Sequence, residues 1–390
     1  MYQLSQKEYK RDYNIDLIRI VSMFLVLSLH CMYYGGLYHK SYEMGGAINI
    51  YSVWYTILHS ISSISVNLFV LISGYHLYNK RFKVSKLIRI ISKVVFYSWT
   101  IFAFRLYFAG TEDLTLKMVV TALLPVSYVQ YWFVSAYVAL YILSPVLNLF
   151  IRSINQRQHF GVMVVLVCLF SLMNTILPLS QVMGVRRFGQ SLSWFVTLYM
   201  IGAYIRMYIG TKTRRKDSLR CFWIAIVIMN VYWLIASSMA DILDYDLHNE
   251  KIGTMVKYYF MFDSVPVLIA SVCAFQWFRG IEITNPNFKA IIRRITPFIF
   301  GVYLIHCNYY IMSLVWIGVK NLDMNPFMPI YSLLYTIALY MVCIVIDYLR
   351  SLICTLIMGG SSLKKVLEAH DEKLYMLFDK AYCYFLKLIK

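Results

Sequence analysis

Ten apolar segments follow one another along this chain, at 15–34, 50–78, 87–109, 130–150, 160–178, 191–209, 221–240, 256–279, 296–317 and 328–349. Each is close to the roughly 20 residues a helix needs to cross a hydrocarbon core of about 30 Å. They are too long and too continuously apolar for the alternating strands of a membrane barrel. Backbone surrounded by lipid must satisfy its own hydrogen bonds, and a helix does this within one segment. The expected fold is an all-α integral membrane protein, a bundle of about ten transmembrane helices. Composition agrees: 60% of the 390 residues are hydrophobic and 14% charged, with a mean hydropathy of +0.61. Soluble domains carry about 25% charged residues.

The formal net charge is +18, and its distribution decides what it means. One alternate set of connecting segments is basic. It holds Lys7, Lys10 and Arg11, then Lys80, Arg81, Lys83 and Lys86, then Arg152 and Arg157. It continues with Lys212, Arg214, Arg215, Lys216 and Arg220, with Arg279 to Arg294, and with Arg350, Lys364 and Lys365. The other set is poor in Lys and Arg and includes Asp241, Asp244, Asp246 and Glu250. This alternation places both termini in the cytoplasm. The charge then belongs to topology and to anionic lipid, with the bilayer as partner and no nucleic acid. The expected location is the cell inner (plasma) membrane, in multi-pass form.

Two regions are expected, a transmembrane domain at 1–358 and a cytoplasmic tail at 359–390. In the tail Leu363, Leu367, Leu374, Leu377, Phe378, Ala381, Phe385 and Leu388 recur at helical spacing with Lys between them. That pattern reads as an amphipathic helix on the inner membrane surface. No small-residue cleavage site follows the first apolar run, so no cleaved signal peptide is expected. The eight Cys form no CxxC pair and are read as small buried residues. No HExxH, Gly-rich phosphate loop or GxSxG is present, and no metal is expected.

Charged and titratable groups inside such spans are costly, so they mark candidate sites. Arg19 and His30 lie in the first span, eleven residues apart. That is close to three helical turns, so they share a face, separated by roughly 16 Å of rise. Asp16 and Ser22 fall on the same stripe. Arg19 is placed near the cytoplasm and His30 in the outer half, where a His suits a base at neutral pH. Asp263 and His306 reach a similar depth, and a carboxylate there suits the role of orienting His30. Lys86, Arg89 and Lys93 form a basic stripe at the start of the third span, suited to a phosphate-bearing cytoplasmic ligand. Trp132, Phe133, Tyr137 and Tyr141 step along the fourth span; Trp132 and Tyr137 are candidates to stack on a sugar ring.

Several segments resemble the acyltransferase-3 family of integral membrane acyltransferases. The run NIDLIRIVSMFLVLSLH (Asn14 to His30) contains the family's pattern of Arg, ten residues, His at Arg19 and His30. NLFVLISGYHL, KLIRIISKVVFYSW, YWFVSAYVALYILSPVL, LYMIGAYI and FGVYLIH follow in the family's order. Two departures stand out. Lys86 and Arg89 occupy positions where the family often has two arginines, and no esterase-like domain is seen in this sequence.

The resemblance implies transfer of an acyl group, usually acetyl, from cytosolic acyl-CoA to a hydroxyl of an extracytoplasmic carbohydrate acceptor. In that reading Arg19, Lys86, Arg89 and Lys93 hold the acyl-CoA. His30, with Asp263 and His306, carries the chemistry, as general base or as acyl carrier. Trp132 and Tyr137 face the acceptor. An exporter of polysaccharide or small molecules, with Arg19, His30 and Asp263 along its path, stays as the alternative. The acceptor's identity and the oligomeric state are left open by the sequence.

Overall fold

A computed structural model describes residues 11–43, 48–176, 189–210, 215–242, 259–323 and 325–358, and every regular element among them is helical. The chain opens with α1 (Tyr13–Tyr34), a short α2 (Leu37–Glu43), α3 (Ile50–Ser62) and α4 (Ser65–Leu77). Next come α5 (Val84–Ala109), a short α6 (Leu116–Leu123), α7 (Trp132–Ser153) and α8 (Gln156–Val167). A π-turn at Cys168–Leu172 carries α8 into α9 (Met173–Ile176). Then follow α10 (Leu192–Tyr208), α11 (Arg215–Ile242), α12 (Val265–Arg279) and α13 (Pro286–Ile295). The described part closes with α14 (Ile299–His306), α15 (Met312–Lys320) and α16 (Met328–Met358). The expected tail at 359–390, and Asp244, Asp246 and Glu250 of the acidic loop, lie outside the described residues.

Among the described residues, seven helical stretches are long and apolar enough to cross a membrane, against the ten expected. The difference lies in three places. The helix of the sixth segment, α10, has 17 residues, starting where Ser191 accepts a hydrogen bond from the Trp194 amide. The helix of the eighth, α12, has 15, because Ser264 caps it and Pro266 occupies its first turn. The ninth segment breaks after His306. There the Asn308 side chain accepts from the Tyr310 amide at 3.0 Å and turns the chain out of the helix.

The first span is the hub. It packs against α3, α4, α12, α13, α14 and α16, so residues spaced along one of its faces sit at the centre of the bundle. Its start is fixed by Asn14, whose amide reaches the carbonyls of Phe278, Arg279 and Ile281 at 2.6–3.0 Å. Phe278 and Arg279 are the last residues of α12 and Ile281 follows it, so this one amide ties the start of α1 to the end of that helix. Beside the hub, α4 and α10 touch through Gly74 and Gly202: a Cβ on Gly74 would collide with the Tyr199 carbonyl, and one on Gly202 with the Leu71 carbonyl. Small residues allow this approach, the usual device for helices that gain no hydrophobic drive from meeting in lipid. Asn67 on α4 then bridges both neighbours, donating to Phe262 O and Ser271 Oγ and accepting from the Trp194 indole.

Candidate active site

Between α1, α4, the start of α5, α7 and the 296–303 segment lies a cavity of about 1100 Å³. Six cations stand at one end: Arg11, Arg19, Lys80, Arg81, Lys83 and Lys86, with Asp12 and Asp16 among them. The walls beyond are apolar, with Val26, Phe69, Phe133 and Phe300, and His30 lines the cavity three turns along α1 from Arg19. Local chemistry sets the cationic end. Asp12 caps α1 by accepting from the Ile15 amide at 3.3 Å. One turn on, the buried Asp16 carboxylate accepts from Arg11 at 2.6 Å and from Arg19 at 2.7 Å. It fixes both guanidinium groups and leaves each with further N–H donors for an anion. The Lys86 ammonium sits 3.5 Å from the Tyr137 hydroxyl and 4.7 Å above the Tyr141 ring. Trp132 and Tyr137 form part of the cavity wall, Trp132 stacked on Phe262 with ring centroids 6.1 Å apart.

At the far end His30 meets His306, with Nδ1 of His30 3.1 Å from Nε2 of His306. The hydrogen bonds assign the protons. Nδ1 of His306 lies 2.6 Å from the Val302 carbonyl, which can only accept, so that nitrogen carries a proton. In a neutral ring Nε2 of His306 is then an acceptor. The imidazole N–H at Nδ1 of His30 is the stronger donor beside it, so Nε2 of His30 keeps its lone pair. A relay results, from the Val302 carbonyl through two imidazoles to a basic nitrogen. His306 is held in register by its neighbours: the Tyr131 hydroxyl donates to Leu304 O at 3.0 Å, and Asn308 donates to that hydroxyl at 2.7 Å. Cys307 completes the cluster. Its Sγ is 3.2 Å from Nε2 of His306 and 3.5 Å from Nδ1 of His30. These three side chains offer ligand atoms within 4.8 Å of one another, the set among the described residues able to hold a metal ion.

Three residues singled out in the sequence stand elsewhere. Lys93 does not line the cavity. Its ammonium pairs at 2.7 Å with Asp347, a fully buried carboxylate that also accepts from the Tyr97 hydroxyl at 2.7 Å and from Arg350 at 2.6 Å. Arg89 is exposed and lies outside the cavity lining. Asp263 is buried, but its carboxylate accepts from Asn174 at 2.9 Å, joining the turn before α12 to α9. His306 fills the orienting position assigned to Asp263. In return the cavity gains Lys80, Arg81 and Lys83, which loop position alone had explained as topology. It also gains His76 and Tyr303, which lie within the runs NLFVLISGYHL and FGVYLIH but are not among the candidate site residues of the sequence.

Helices of membrane length around one apolar cavity, with cations at its mouth and His30 three turns further along α1, mark a multi-pass membrane protein. Residues 12–349 match the family model of the acyltransferase-3 acyltransferase domain, and the chain belongs to that family. Comparison with curated proteins and with solved structures gave no match.

Proposed function

We propose that this acyltransferase takes its acyl group from acyl-CoA, acetyl-CoA by preference, entering from the cytoplasm. The acceptor is a hydroxyl of an extracytoplasmic carbohydrate. One observation carries the reading: six cations stand at one end of a single apolar cavity and the free nitrogen of the His30–His306 pair at the other. The phosphates of CoA suit the cations, and an extended pantetheine arm spans the roughly 16 Å of α1 between Arg19 and His30. Nε2 of His30 removes the proton of the acceptor hydroxyl as its oxygen attacks the acyl carbonyl. The thiolate of CoA leaves and recovers that proton.

The acceptor has its own approach. One turn past His30, Tyr34 packs edge-on against the imidazole with centroids 5.1 Å apart. Tyr34 also lines a second pocket of about 420 Å³, with Arg105, Tyr309, Tyr310, Trp316 and Lys320. Aromatic faces with flanking polar groups suit a sugar ring, and the position along α1 suits the outer side under the charge-derived topology.

Mass spectrometry of surface glycans from cells with and without this chain tests the reading. A new ester that disappears in His30→Ala at matched protein level is expected. Unchanged glycans, with flux of a solute through vesicles holding the protein but no acyl-CoA, would replace it with an exporter.

A further inference from the structure

We infer that His30, His306 and Cys307 form a binding site for a thiophilic divalent metal of the zinc class, and that metal and general-base catalysis exclude each other there. The second half rests on the function proposed above; the first does not.

Geometry carries the first half. Tetrahedral zinc with Zn–N of about 2.0–2.1 Å and Zn–S of about 2.3 Å sets ligand separations near 3.3 Å for N to N and 3.5 Å for N to S. The three atoms stand at 3.1 Å for N to N and at 3.2 and 3.5 Å for N to S. They come from α1 and from the last residue and C-cap of α14, which packs against it. His306 also has the outer hydrogen bond typical of a metal ligand, its Nδ1 proton donated to a backbone carbonyl at 2.6 Å.

Counting protons gives a second argument. Without metal, the His30 N–H and the Cys307 S–H crowd round the single lone pair of His306 Nε2. One of the two donors is left poorly satisfied. A divalent cation replaces both protons and uses all three lone pairs. Cys307 releases its thiol proton to solvent and binds as thiolate. The His30 proton moves from Nδ1 to Nε2. Three protein ligands leave a fourth position for water, the pattern of an open zinc site rather than a closed one.

The proton shift links the metal to catalysis. Once Nδ1 of His30 is a ligand, Nε2 bears the proton and has no lone pair for an acceptor hydroxyl. Bound metal therefore switches the base off. The expectation from sequence that no metal binds rested on motif spacing, which cannot pair Cys307 with a His 277 positions away.

The test uses purified full-length protein in detergent, titrated with Co²⁺ and then Zn²⁺. Wild type should take up Co²⁺ with a near-ultraviolet thiolate-to-metal charge-transfer band, and Zn²⁺ should abolish the band by displacement. Cys307→Ser should lack the band, bind at least about tenfold more weakly and keep its elution profile. His306→Gln, which keeps the thiol, should weaken binding as well. No band in wild type, or an equal band in Cys307→Ser, would overturn the site, the latter because another cysteine is then the ligand. In the transfer assay, Zn²⁺ should inhibit wild type over the same concentration range in which it displaces the Co²⁺ band, whereas Cys307→Ser, whatever its basal rate, should hold that rate across this range. A band without inhibition refutes the exclusion while the site stands. A band on a protein that transfers nothing leaves the site and removes the proposed function.

Discussion

Nδ1 of His30 and Nε2 of His306 lie 3.1 Å apart although 276 positions separate the two residues, and His306 is itself anchored on the Val302 carbonyl. The two rings are therefore unequal. His30 faces the cavity and holds the free nitrogen, whereas His306 fixes its tautomer. His30→Ala should lower the transfer rate by about 10²–10⁴, the usual contribution of a general base. His306→Ala should lower kcat with little change in donor KM, because His306 sets the orientation of the base and lines no part of the cavity. Initial rates at matched folded protein decide this; wild-type kcat in either variant removes the relay.

Donor binding should depend on Arg19 rather than Arg89. Arg19 lines the cavity and is steadied by Asp16, whereas Arg89 is exposed outside it. Arg19→Ala should weaken acyl-CoA binding roughly ten- to a hundred-fold, as expected for one charge-assisted contact of about 1.5–3 kcal/mol. Arg89→Ala should bind like wild type. Calorimetry on the purified variants tells the two apart, and the reverse ranking would return the donor phosphates to the exposed side of α5.

How far the sequence went can be read from these same residues. Arg19 and His30 share one helix, so their common face follows from periodicity, and both do line one cavity. Lys86 and Lys93 share a face for the same reason, yet only Lys86 reaches the cavity. Asp347 arrives from 254 positions away and takes Lys93. The His30–His306 contact has no local signal at all, since it depends on how α14 meets α1. The fold shows the same division. Apolar runs mark where helices lie, but the break after His306 turns on the side chain of Asn308 and its hydrogen bond to the Tyr310 amide.

Topology gives a separate check. Under the charge alternation, Arg81 and Lys83 at the cavity mouth face the cytoplasm and Tyr309 in the second pocket faces outward. Cysteine placed at position 309 in a background free of other exposed cysteines should react with a membrane-impermeant maleimide from outside intact cells. Cysteine at 81 should react only after permeabilisation. The opposite pattern would put the donor site on the wrong side for a cytosolic thioester.

The contact of α4 with α10 should tolerate no added carbon. Gly74→Ala brings a Cβ against the Tyr199 carbonyl, a backbone atom that cannot rotate away. The helices must separate, at about 1–3 kcal/mol, the usual range for overpacking. Gly161 on α8 is the control. Nothing lies within 4 Å of its added Cβ, so Gly161→Ala should be neutral or gain up to about 1 kcal/mol from helix propensity. Thermal unfolding in detergent, followed by tryptophan fluorescence, should show a lower Tm only for Gly74→Ala.

Asp347 and Lys93 should matter for stability rather than for donor binding, and the two partners should not be equivalent. Asp347 is fully buried and serves Lys93, Tyr97 and Arg350 together. Removing it strands a largely buried ammonium, and breaking a buried pair in this way costs about 3–5 kcal/mol. Removing the ammonium leaves the carboxylate paired with Arg350 and bonded to Tyr97, so Lys93→Met should lose only about 1.5–3 kcal/mol, the value of one hydrogen bond to a charged group. The double variant Lys93→Met with Asp347→Leu should be more stable than the sum of the single losses, because neither charge is then left alone. Donor KM should stay at its wild-type value in Lys93→Met. A folded Lys93→Met protein with an unchanged melting curve and a donor KM raised about tenfold would show that Lys93 leaves Asp347 to bind the donor.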